Sequence, residues 1–194
     1  VTGIVLTVGA FVVLVGGIKS IGRVTAGFVP VMVVFYVLAA IYILIVNVAD
    51  IPAAFAQIFT DAFTGTSAVG GFAGSVIMIA VQYGVARGIF SNESGMGSAA
   101  IAAAAAQTTH PVRQGLVSMT QTFIDTIIVV SMTGLVLVTT GAWELDENAA
   151  VLTSVAFSQG LPGEWGGYIV AIGVILFAFS TILGWSYYGD RCFE

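Results

Sequence analysis

Charge is scarce in this chain. Five Lys and Arg and ten Asp and Glu make up 8% of its 194 residues, against 58% hydrophobic residues and a mean hydropathy of +1.06. That is too little polar surface to cover a soluble globule, so the surrounding solvent must be largely lipid. Cysteine and histidine occur once each, at Cys192 and His110, which excludes a disulfide framework and a thiolate or imidazole metal centre. A net charge of −5 with no basic patch argues against nucleic-acid binding. The chain opens at Val1 in mid-hydrophobic sequence, without a Met or a basic region before an apolar core. It shows no targeting signal and reads as a fragment.

Long uncharged runs are what the chain has in quantity. They cover 1–18, 24–49, 62–86, 126–143 and 165–189, each near or above the ~18 residues needed to cross the hydrocarbon. They predict an all-α integral membrane protein with five transmembrane helices, at about 1–18, 24–48, 65–89, 115–142 and 165–189. Helices are required because lipid offers backbone amides no partner and the runs lack the two-residue alternation of a barrel. The basic residues orient the bundle. Lys19 and Arg23, then Arg87 and Arg113, then Arg191 fall in alternate gaps, and the other gaps hold Asp50, Asp61, Glu144, Asp146, Glu147 and Glu164. Cytoplasmic loops retain positive charge, which puts residue 1 outside and residue 194 inside a cytoplasmic membrane.

Between the spans the sequence has local structure of its own. Pro30 removes one backbone hydrogen bond within the second span and predicts a kink. Residues 51–63 place Phe55, Ile58, Phe59 and Phe63 at helical spacing, predicting a short helix at the outer interface. The third span is interrupted near its start by Gly70, Gly71 and Gly74, each costing a helix ~1 kcal/mol relative to alanine. Either small residues there let another helix approach, or the helix is broken and exposes backbone to a ligand. After the polar, glycine-rich stretch 91–98, the alanine run predicts an inner helix over 97–108, ended by His110-Pro111. Residues 148–163 read as a semi-apolar outer loop with a possible helical lid.

Few groups here could carry chemistry. Asp125 lies twelve residues beyond Arg113, up to ~18 Å into the bilayer at 1.5 Å per residue. A carboxylate there must be paired, protonated or coordinated. Thr122 and Thr126 flank it, and hydroxyls with a carboxylate are hard oxygen ligands suited to an alkali cation. A structural, hydrogen-bonded Asp is the alternative. In the last span Phe177, Thr181 and Trp185 share a helix face. Ser180 and Thr181 either bond back to their own helix or present two adjacent hydroxyls to a cation. An enzyme is disfavoured: the nucleophile and base candidates Ser98 and His110 are separated by twelve residues, ~18 Å along a continuous helix.

At Arg87-Gly-Ile-Phe-Ser-Asn-Glu-Ser-Gly-Met-Gly-Ser-Ala99 the sequence resembles the signature of the sodium:alanine (alanine/glycine:cation) symporter family, R-G-x-F-S-N-E-A-G-x-G-S-A, with Ser94 where alanine is usual. Further matches are His110-Pro-Val-Arg-Gln-Gly115, Phe123-Ile-Asp-Thr126 and Phe177-Ala-Phe-Ser-Thr-Ile-Leu-Gly-Trp-Ser-Tyr-Tyr-Gly189. The resemblance implies the inverted-repeat (5+5) fold of the amino-acid/polyamine/organocation transporters. The five spans would be its fourth to eighth core helices, and the sixth would be broken at Gly70 to Ser75. Helices before and after them would belong to the same, longer protein. The resemblance implies a sodium site at Ser180 and Thr181 and substrate-binding backbone at Gly70, Gly71, Phe72 and Gly74. Phe72 and Trp185 would limit side-chain size, and Asn92 and Glu93 would stabilise an inner gate. The expected function is symport of sodium with alanine or glycine, with sodium as the coupling ion and no organic cofactor. Proton coupling through Asp125, or a channel or non-transporting subunit, are the alternatives.

Overall fold

The computed structural model describes residues 2–64, 73–93, 95–145, 148–163 and 165–194. Its described elements are helical: α1 (Thr2–Leu14), α2 (Gly17–Val46), α3 (Ile51–Thr64), α4 (Ala73–Asn92), α5 (Ser98–Ala104), α6 (Pro111–Thr139), α7 (Ala149–Gly160) and α8 (Trp165–Phe193), with a single 3₁₀ turn at Ala142–Glu144. Among the described residues, α2, α6 and α8 are long and apolar enough to cross a membrane, and Gly3–Leu14 within α1 is a shorter apolar helix.

The helix ends show why the chain turns where it does. Gly17 takes φ +63°, a left-handed conformation open to glycine without a Cβ penalty, so the reversal between α1 and α2 is complete before Lys19. Lys19 and Arg23, read from sequence as a basic turn ahead of a span at 24, therefore lie in the opening turns of α2. This helix continues through Pro30 to Val46. Asn47 closes it, its side-chain amide donating to the Ile43 carbonyl at 2.8 Å. His110 stands in extended conformation as the N-cap of α6 with Pro111 at its first position, where a missing N–H costs nothing. Expected to end the inner helix, His110-Pro111 instead begins the next one. The inner helix is Ser98–Ala104, shorter than the expected 97–108 because its last residues leave the helix before Pro111. The stretch read as an outer loop contains the three-turn helix α7.

The bundle is built on α2 and α8, which run antiparallel and carry two apolar clusters. One joins Tyr36, Ala39, Ala40 and Ile43 of α2 to Val136 of α6, Phe157 of α7 and Val170 of α8. The other, at the opposite end, joins Ala10 and Val13 of α1 to Ile21 of α2 and Leu183 and Tyr187 of α8. Most remaining large apolar side chains face outward, including Phe11, Phe35, Ile45 and Ile172. Where the surroundings are themselves hydrocarbon, burial gains no hydrophobic free energy, and association rests on close packing and interhelical hydrogen bonds.

One such bond ties α2 to α6. Thr133 donates to the Val129 carbonyl at 2.7 Å, so the Tyr36 hydroxyl, 2.5 Å from Thr133 Oγ1, is the donor between them. The Tyr36 ring also packs on Phe157 at 5.0 Å between centroids. Tyr36→Phe keeps the ring and removes the bond. It is expected to destabilise the protein by about 0.6 kcal/mol, the average for such bonds in bilayers, measured by detergent-titrated unfolding.

Candidate functional site

The candidate groups gather where α8 meets the end of α4. On α8, residues 177, 181, 185 and 188 recur at helical spacing and share one face. Ser180 Oγ and Thr181 Oγ1 both donate to the same Phe177 carbonyl, at 2.8 and 2.9 Å. Both hydroxyl protons are thereby directed at one oxygen, and the lone pairs of two neighbouring hydroxyls remain available to a cation. Back-bonding and ion binding, set against each other in the sequence, are compatible here. A turn further on, Trp185 stacks on Phe90 of α4 at 5.9 Å between centroids and meets the Tyr188 ring edge-on at 5.9 Å.

The glycine-rich turn after α4 is fixed by hydrogen bonds from three elements. Ser91 Oγ donates to Asp125 Oδ2 at 2.7 Å, and Asn92 Nδ2 donates to Thr126 Oγ1 at 2.6 Å. Glu93 has φ +54°, a left-handed conformation uncommon for a residue with a side chain. Its Oε2 accepts from Ser98 Oγ at 2.9 Å and from the Tyr188 hydroxyl at 3.2 Å. Gly95 and Gly97 complete the turn at φ +80° and +84°.

Asp125 and Thr126 lie in a stretch of α6, Phe123–Val130, wound with wide π-type turns. Ser131 Oγ donates five residues back to the Thr126 carbonyl at 2.9 Å. Such irregularities are frequent at functional sites. The first three turns of α6, Pro111–Thr122, bury no side chain and are rich in polar residues, and the uncharged run begins after Asp125. Asp125 thus marks the polar-to-apolar boundary of α6, at the level where α4 ends. The sequence reading set Asp125 up to ~18 Å into the bilayer and Asn92 and Glu93 at the inner face; in the structure the neighbours of each meet, Ser91 bonding Asp125 and Asn92 bonding Thr126. Among the described residues no cation pairs with Asp125 within 4.0 Å.

Of the expected substrate residues, Gly70, Gly71 and Phe72 lie outside the described residues. Gly74 is in the first turn of α4. Trp185 is brought to Phe90 and Tyr188. The enzyme candidates are engaged separately, Ser98 with Glu93 and His110 at the start of α6. Sequence reasoning missed Phe90, Ser91 and Tyr188. Tyr188 carried a usable signal, standing seven residues after Thr181 on the face already marked by Trp185.

Long apolar helices with a paired-hydroxyl face and a hydrogen-bonded glycine-rich turn define an α-helical membrane protein. The chain belongs to the sodium:alanine symporter family, whose family model matches residues 1–194. It is 53% identical over its full length to an uncharacterised transporter of Haemophilus influenzae and covers 42% of that protein. It is 51% identical to the sodium/alanine symporter AgcS of Methanococcus maripaludis, again with all of this chain and 42% of the relative matched. The amino-acid carrier protein AlsT of Bacillus subtilis is 36% identical over the whole chain, which covers 40% of it. The chain thus spans about two fifths of the length of these curated relatives.

Proposed function

We propose that the full-length protein is a secondary active transporter of the cytoplasmic membrane that takes up a small neutral amino acid, alanine or glycine, together with sodium. The observation that carries this reading is the Ser180/Thr181 pair, whose two hydroxyls share one acceptor and leave adjacent oxygens for a hard cation. Family membership and the name of the Methanococcus relative support the same chemistry. In this reading α1, α2, the third span ending in α4, α6 and α8 are five core helices of an inverted-repeat transporter. Residue 1 is outside and residue 194 inside, and the remaining helices come from the rest of the protein. The zwitterion is received by backbone at Gly70, Gly71, Phe72 and Gly74, just ahead of and within the start of α4. Phe72 and Trp185 set the size limit. Asn92, Glu93 and Asp125 form the inner gate.

Ion and substrate drive this gate only by preferring one of its states. Uptake of labelled alanine into proteoliposomes tests the reading, first with an inward sodium gradient and then with an equal pH gradient. Accumulation is expected with sodium alone. Uptake that equilibrates without accumulating would indicate a channel instead.

Proton coupling through Asp125 is the second reading, supported by the lack of a cation partner for this carboxylate among the described residues. Asp125→Asn separates the two. An asparagine oxygen still accepts from Ser91, so a gate residue keeps sodium-driven accumulation, with a loss of less than about tenfold, as one charge-assisted hydrogen bond is replaced by a neutral one. A coupling residue loses accumulation altogether.

A further inference from the structure

We infer that Ser98 and Tyr188 are positioning residues which, through the Glu93 carboxylate, hold α5 as a lid on the end of α8. The role in transport rests on the reading above; the lid itself rests on geometry. Helix α5 has seven residues, is almost all alanine, and buries none of them. Its apolar hold on the bundle is Ile101, packed on the cluster of Ala10, Val13, Ile21, Leu183 and Tyr187. Its polar hold is Glu93 Oε2, which receives Ser98 from α5 and Tyr188 from α8 on a single oxygen. Glycines at positive φ precede the helix, at Gly95 and Gly97, and an irregular stretch follows it before Pro111. A short element with few buried contacts and pliable connections on both sides opens locally at low cost.

The left-handed backbone at Glu93 is consistent with this role, since such a conformation persists where the surroundings impose it. Tyr188 shares its helix face with Thr181 and Trp185, and Trp185 in turn stacks on Phe90. The lid packs through Ile101 on the cluster that includes Leu183 and Tyr187, and it is tied to the face of α8 that carries Thr181, two turns away, by the Tyr188 bond to Glu93. A change in the pitch or rotation of that face reaches the lid through two hydrogen bonds that share the Glu93 Oε2 atom.

The test uses the full-length protein with its native cysteines, Cys192 among them, replaced by serine and with Leu183→Cys in the buried cluster on which Ile101 packs, and reads the rate at which a polar maleimide labels the new thiol. Tyr188→Phe, which removes one oxygen, is expected to speed labelling two- to tenfold, as is Ser98→Ala, the range set by a single hydrogen bond. Adding Tyr188→Phe to Glu93→Ala, which removes the shared acceptor, should add little, because both act through one side-chain oxygen. A second reporter, Ile43→Cys in the opposite cluster, should stay protected, which separates lid opening from unfolding. Two variants keep the test decisive if one fails to fold. Unchanged labelling in both Tyr188→Phe and Ser98→Ala, or fully additive effects with Glu93→Ala, overturns the lid. Sodium-driven uptake by the unmodified protein is scored separately, so failure of the transport reading is distinguishable from failure of the lid.

Discussion

Thr181→Ala in the full-length protein is expected to raise the sodium concentration for half-maximal alanine uptake at least about tenfold, a loss of the size that disturbing a metal ligand's environment commonly produces. Thr181→Ser should restore most of it. The argument rests on what the substitution leaves alone. Thr181 is exposed on α8 and its hydroxyl bonds only within its own helix, while alanine is the better helix former, so the fold has no reason to suffer. What disappears is one of the two hydroxyl oxygens that donate to the shared Phe177 carbonyl and keep their lone pairs for a cation. An unchanged sodium dependence would remove Ser180 and Thr181 from the ion site and leave the proton reading through Asp125 as the stronger one. The measurement is uptake against sodium concentration at fixed membrane potential, with the variant's thermal stability recorded beside it.

The largest effect on stability is expected at Gly166, with Gly166→Ala costing about 3 kcal/mol, the upper part of the range for overpacking. A Cβ built there would lie 2.1 Å from the Phe157 carbonyl oxygen and 2.2 Å from its carbon. Those are backbone atoms of α7 and cannot rotate aside, so the two helices must separate. Phe157 is fully buried between Tyr36, Ile43 and Val170, and moving α7 pulls it out of that cluster. At Gly160 the same substitution meets the Ile43 side chain at 2.6 Å, and part of the strain can be relieved by a rotamer change. Gly160→Ala should therefore cost less than Gly166→Ala when both are measured by unfolding in mixed micelles. An equal or smaller loss at Gly166 would mean that α7 is not seated against α8 as described.

Glycine content alone could not have distinguished these positions. A Cβ at Gly27, Gly134 or Gly173 meets nothing within 4 Å, although all three lie in apolar helices where a small residue invites the same close-packing explanation. The difference arises from which helix crosses at that level. The wide turns of α6 were hidden for a similar reason: Phe123–Val130 reads as an ordinary apolar stretch, and the extra residue per turn shows only in hydrogen bonds such as Ser131 to Thr126.

The sequence by itself determined the solvent, the helical class, the candidate hydroxyl pair and the family signature. Each is a local property: hydropathy accumulates along a run, helical spacing puts 177, 181 and 185 on one face, and the signature is contiguous. Tertiary structure alone decided that Asn92 sits beside Asp125's neighbour Thr126, that the basic stretch Lys19 to Arg23 is helix, and that Glu93 reaches Tyr188, 95 residues away. Helix periodicity says which residues share a face but not which faces meet. In a bundle whose apolar surfaces are nearly interchangeable, that choice is made by shape and by a few polar contacts between distant residues, and it appears only once the helices are packed.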